Sequence, residues 1–105
     1  MKTNKRRAKM ILTSFFAMLM PLLASAQTRV EIGDIWYNLN LETKQAEVTS
    51  GSGDYITIPA TVTYEGVNFN VTSIKEEAFM YYYLESISIP ESVTSIGKDA
   101  FLACI

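Results

Sequence analysis

The segment from Val71 to Tyr83 recurs 22 positions later, from Val93 to Ile105. Six of the 13 pairs are identical: Val71/Val93, Thr72/Thr94, Ser73/Ser95, Ile74/Ile96, Ala78/Ala100 and Phe79/Phe101. Two more are conservative, Glu77/Asp99 and Met80/Leu102. Unrelated segments of ordinary composition would match at roughly one position in this length. A unit this short cannot close a core of its own. Each copy must bury its apolar edge against the next, and the fold must be built by stacking.

Within the unit, Leu84, Ile87 and Ile89 give the L-x-x-I-x-I spacing of a strand that turns its apolar side chains to a narrow core. Pro90 ends that strand, because it has no N–H to donate onward. Val93 and Ile96 turn back inside, Gly97 allows a bend, and Ala100 and Phe101 close the core from a short helical turn. Glu76-Glu77-Ala78-Phe79 forms the corresponding turn one unit earlier. Upstream, Tyr55-Ile56-Thr57-Ile58-Pro59 matches Ser86-Ile87-Ser88-Ile89-Pro90 at a longer step, 31 positions in place of 22. The surplus is a hairpin, with arms Thr61–Tyr64 and Val67–Val71 and Gly66 supplying the positive φ of its turn.

Before these units, residues 30 to 49 read as a β-hairpin. Val30, Ile32, Ile35, Tyr37 and Leu39 alternate imperfectly, Gly33-Asp34 breaks the run, residues 40–44 turn, and residues 45–49 form the second arm. Trp36 is expected to be buried against this pair. Residues 50–54 (SGSGD) are a flexible turn, too short for a domain linker.

Segment 1–26 is set aside as a signal peptide. Lys2, Lys5, Arg6, Arg7 and Lys9 form a basic start, and Met10 to Leu23 is almost wholly apolar. Ala24-Ser25-Ala26 offers the small residues of a cleavage site. The apolar run falls short of the ~20 residues that span a bilayer as a helix. The chain from Gln27 onward keeps four bases and all 11 acids, a net charge of −7. That surface argues against nucleic acid and anionic lipid, which demand clustered Lys and Arg. Cys104 stands alone, so no intramolecular disulfide exists and the apolar core must carry the fold.

The string Leu84, Ile87, Ile89, Pro90, Val93, Ile96, Gly97, Ala100, Phe101 and Cys104 resembles the BspA-like leucine-rich repeats of secreted bacterial surface proteins. The resemblance covers residues 71–105 well and 55–59 in part. Residues 28–50 also look like the β-rich lead-in that precedes such repeats. The unit from Val71 departs from the pattern, with Lys75 in place of Gly and Tyr82 in place of Cys. The resemblance implies a mostly β chain with short helical turns: a leucine-rich-repeat solenoid fragment behind a β-hairpin N-terminal cap. The expected boundaries are 1–26 signal peptide, 27–54 cap and 55–105 repeats, incomplete at the C-terminus. It also implies export to the cell surface or beyond, and adhesion or other binding of an extracellular protein or glycan. The chain is expected to be the N-terminal part of a longer or truncated product. The alternative is a structural module on a larger secreted enzyme.

Histidine is absent, which removes Ser-His-Asp and Cys-His arrangements and the commonest metal ligand. Glu76, Glu77 and Asp99 recur on successive units as a solvated ridge, unlike the facing pair a glycosidase needs. No catalytic residue, metal ligand or cofactor is expected. Cys104 reads as a buried filler. The candidate ligand-binding residues are Tyr81, Tyr82 and Tyr83, whose rings supply contact area with a polar tip. At least one should be buried and at least one exposed. Glu85, Ser86 and Ser88 should face outward, alternate to the isoleucines. The open C-terminal repeat edge is a surface for self-association.

Overall fold

The structure, a computed structural model, describes residues 26–104. The signal peptide read over 1–26 lies outside them except for Ala26, and so does Ile105. Among the described residues no helix is long and apolar enough to cross a membrane.

The described residues form eight strands: β1 Gln27–Ile32, β2 Ile35–Asn40, β3 Gln45–Gly51, β4 Tyr55–Thr57, β5 Thr61–Tyr64, β6 Val67–Ile74, β7 Ser86–Ser88 and β8 Ser95–Ile96. A six-stranded sheet runs β1-β2-β3-β6-β5, with β8 sharing the β5 edge of β6, and β4 pairs β7 in a second sheet. β1, β2 and β3 form an antiparallel meander, whereas β3/β6, β6/β8 and β4/β7 are parallel. The sequence steps reappear as registers: Ser73 and Ile74 lie beside Ser95 and Ile96, and Tyr55-Ile56-Thr57 beside Ser86-Ile87-Ser88. The surplus of the longer step is the β5–β6 hairpin, closed by Glu65 and Gly66, both at positive φ.

Residues 30–49 are not a two-stranded hairpin. Gly33-Asp34 is itself a tight two-residue turn, with Gly33 at φ 65°, so the first arm is two strands. A two-residue turn also explains the broken alternation: Val30 is buried before it, and Ile35, Tyr37 and Leu39 on the opposite parity after it. The meander continues through β3 into β6, which places it in the same sheet as the repeat. Trp36, expected inside, is half-buried on the opposite face, with the Arg29 guanidinium 4.3 Å above its ring.

The helical turns expected at 76–79 and 98–101 are absent. Residues 75–82 instead form a ribbon of overlapping turns, in which the N–H groups of Ala78, Met80 and Tyr82 donate to the carbonyls of Lys75, Glu77 and Phe79. Residues 97–104 repeat it: Ala100, Leu102 and Cys104 donate to Gly97, Asp99 and Phe101. Glu77 and Tyr81 sit at φ 61° and 65°, and their counterparts one repeat later, Asp99 and Ala103, at 58° and 56°. A helix would return every interior N–H to its own carbonyls. The ribbon returns only alternate ones, and the remainder link the two units: Glu77, Phe79 and Tyr81 donate to Lys98, Ala100 and Leu102 at 2.8–3.1 Å. The corresponding N–H groups of Asp99, Phe101 and Ala103 meet no backbone carbonyl among the described residues.

One core runs through the molecule, from Leu39 and Val48 through Ile56, Ile58, Phe69 and Ile74 to Phe79. It opens at the last unit. Ile96 is 51% exposed although its counterpart Ile74 is 2% exposed, and Ile89 is exposed where Ile58 is buried. Ile87, Val93 and Phe101 are half-buried. These side chains, expected inside, lack a following unit to cover them among the described residues. Cys104 is also only half-buried, its thiol donating to the Phe79 carbonyl at 2.9 Å.

Burial of Tyr37 pushes its phenol up to about 12 from 10.0. The unfolded chain loses this proton first, so folding stability falls as pH rises from 10 towards 12. We expect denaturation midpoints of the wild type to drop across that range and those of Tyr37→Phe to drop less. Equal slopes would refute the assignment.

Candidate binding face

The parallel pairing of β4 and β7 fixes which side chains share a surface. Ile56 and Ile87 turn inward, and the rows Tyr55/Ser86 and Thr57/Ser88 stand on the other face, all four exposed. Glu85, also exposed, precedes β7 on the parity of Ile87, and its N–H and that of Ser86 both donate to the Asp54 carbonyl. The bridge ties the start of β7 to the turn before β4.

Tyr81, Tyr82 and Tyr83 divide as their positions demand. Tyr82 occupies the site equivalent to Cys104 and is half-buried, its ring edge-on to Phe79 with centroids 5.7 Å apart. Phe79 in turn stacks on Phe101 at 5.5 Å. Tyr81 and Tyr83 point away, 69% and 74% exposed. Tyr81 belongs to the ribbon, where its N–H is bound to Leu102, and not to the β4–β7 strip.

Tyr55, 75% exposed, was not among the candidates. The signal was present, since the longer-step alignment sets Tyr55 over Ser86 and an outward Ser86 makes Tyr55 outward too. Tyr55 also borders a shallow groove of about 270 Å³ lined by Ile32, Asp34, Pro59 and Val62. Rings, hydroxyls and one carboxylate can hold a partner through apolar area and neutral hydrogen bonds. Among the described residues no three His, Cys, Asp or Glu side chains cluster to hold a metal.

The family model described as BspA type leucine rich repeat region (6 copies) matches residues 72–105. No curated protein matches the chain. Three solved structures do. A leucine-rich repeat protein from Bacteroides capillosus is 33% identical with a TM-score of 0.67, over 72% of this chain and 59% of that one. A leucine rich cell surface protein from Faecalibacterium prausnitzii is 35% identical with a TM-score of 0.63, over 70% of this chain and 20% of that one. A leucine-rich repeat protein from Bacteroides ovatus is 32% identical with a TM-score of 0.61, over 69% and 20%. The chain thus spans about three fifths of the first of these proteins and a fifth of the other two. With its mostly β architecture and its pairing at the repeat step, the stretch from residue 72 onward belongs to the BspA type leucine rich repeat family.

Proposed function

We propose that this chain is an exported, non-catalytic binding module that presents Tyr55, Tyr81 and Tyr83 to an extracellular protein or glycan surface. The observation that carries this reading is the exposure of these three tyrosines, Tyr55 within the β4–β7 strip of small hydroxyl side chains and Tyr81 and Tyr83 in the segment that leads into β7. Exposed aromatic area of this kind is enriched where proteins bind partners. The leader-like segment 1–26, the family and the cell-surface relative support an extracellular setting. In this reading the units form a short solenoid closed at one end by the β1–β3 meander as its cap. The open end is the surface on which a further unit or a second copy adds.

The test is binding of the purified chain to a panel of immobilised extracellular-matrix proteins and their deglycosylated forms. Saturable binding is expected for the wild type. It should weaken at least about tenfold in Tyr81→Ala/Tyr83→Ala, since two central aromatics each carry on the order of 1–2 kcal/mol of an interface. Unchanged affinity in a variant with a wild-type denaturation midpoint would overturn the reading, as would no binding by the wild type.

A further inference from the structure

The large sheet carries a surface that shares no residue with the β4–β7 strip or with Tyr81 and Tyr83. On its outer side, one cross-strand row reads Arg29–Asn38–Glu47–Ser73–Ser95, and the row beside it Gln27–Asn40–Gln45–Asn70–Thr61. Between the rows lies a groove of about 200 Å³. It spans β1, β2, β3 and β6, so its walls are fixed by three strand pairings.

The sheet is distorted here. The β3–β6 register shifts between Ala46 and Glu47, which leaves Thr72 as the extra residue, and both Thr72 and Ser73 line the groove. A second shift lies between Trp36 and Tyr37 in the β2–β3 pairing. Bulges re-aim side chains, and they gather beside functional sites.

The polar groups are pre-arranged. Asn38 donates its amide to Glu47 Oε1 at 3.2 Å, leaving Asn38 Oδ1 and Glu47 Oε2 as acceptors. Asn40 Oδ1 accepts the N–H groups of Glu42 and Thr43 at 2.9 and 3.0 Å, leaving its amide nitrogen as a donor. Gln27 and Gln45 add two more planar amides.

We propose that this groove binds a neutral sugar residue. Among the described residues no Lys or Arg lines it, and the nearby Arg29 is engaged on Trp36, so a phosphate or carboxylate ligand would meet Glu47 with no counter-charge. A metal ion would find one carboxylate, and an apolar ligand little beyond Ala46. Adjacent hydroxyls on a pyranose each donate and accept, which matches alternating amide donors and acceptors. The proposal stands independently of the role given to the tyrosines.

The test is a titration of the ¹⁵N-labelled full chain with glucose, galactose, mannose and N-acetylglucosamine up to tens of millimolar, following side-chain amide shifts. For at least one sugar, saturating shifts are expected at Asn38, Asn40 and Gln45. Binding should weaken about tenfold in Gln45→Leu, the loss of one well-made hydrogen bond. It should persist in Glu47→Gln, which removes charge and keeps an acceptor. The proposal is overturned if no sugar shifts these amides, or if shifts arise only around Tyr55, Tyr81 and Tyr83. It is equally overturned if Gln45→Leu binds as the wild type, if Glu47→Gln abolishes binding, or if only inorganic phosphate or Mg²⁺ saturates the same amides.

Discussion

Replacing Phe79 by alanine will destabilise the fold by about 3–5 kcal/mol, the range for emptying a fully buried phenylalanine site. For a small domain whose whole stability is on the order of 5–15 kcal/mol, that is about a fifth of the total or more. The ring is completely buried, stacks on Phe101 and supports Tyr82 edge-on. Collapse onto the vacancy is limited from below, where the backbone at Gly51 already approaches it: a Cβ there would lie 3.1 Å from Phe79 Cε1. Phe101 is the same residue in the same place one unit later, but only half-buried. Phe101→Ala should therefore cost less than half as much. Urea denaturation of both variants measures the difference at the midpoint with the m-value unchanged. Equal losses would mean that the core does not thin towards the last unit.

Substituting alanine at Gly97 will cost about 3 kcal/mol or more, at the upper end for overpacking, and will act on the last unit first. A Cβ at this position would stand 2.3 Å from the Glu76 nitrogen, 2.6 Å from Glu76 Cα and 2.8 Å from the Lys75 carbonyl carbon. These are backbone atoms, and the Lys75 N–H is bound to Val48 and the Glu77 N–H to Lys98. Neither segment can step aside without breaking a link between units. Gly97 is not at positive φ, so close approach, and not the bend expected from sequence, is what demands glycine here. Hydrogen exchange supplies the readout. The amides of Phe79 and Tyr81, bound to Ala100 and Leu102, should exchange much faster in Gly97→Ala, while those between β1 and β2 stay protected. Unchanged exchange at Phe79 would show that the units are not held at this distance. Lys75, the counterpart of Gly97, is exposed, and β3 beside it continues as a strand to Gly51, so a side chain is tolerated there.

These two positions show what the sequence discloses and what it withholds. The repeat was legible because identical residues must occupy identical registers, and Ser73 beside Ser95 follows from the alignment alone. The β5–β6 hairpin was legible from a glycine turn between two alternating runs. The ribbon was not. Glu76-Glu77-Ala78-Phe79 has helical composition, and its left-handed residues, Glu77 and Tyr81, are not the glycines that advertise positive φ. Asp99 and Ala103 take the same conformation without a bond to a further unit among the described residues, so it belongs to the run of overlapping turns itself. The exposure of Ser86 and Ser88 followed from alternation along β7, that of Glu85, on the parity of Ile87, did not, and the exposure of Tyr55 required applying the alternation across the longer step. The amide groove was beyond reach from sequence, since it exists only because β3 pairs parallel with β6 and brings Asn38 and Glu47 alongside Ser73.

The bonds that join the two ribbons all run one way, from Glu77, Phe79 and Tyr81 of the earlier unit to carbonyls of the later one. Peptide dipoles aligned in this manner add along the stack as they do along a helix axis, with the positive pole at the end that presents bare N–H groups. Among the described residues that pole is the edge at Asp99, Phe101 and Ala103. Two such poles brought face to face set donor against donor and repel. Growth is therefore polar: the edge accepts only backbone that arrives with a row of carbonyls, and two-fold pairing of ribbon ends is disfavoured before any side chain is consulted.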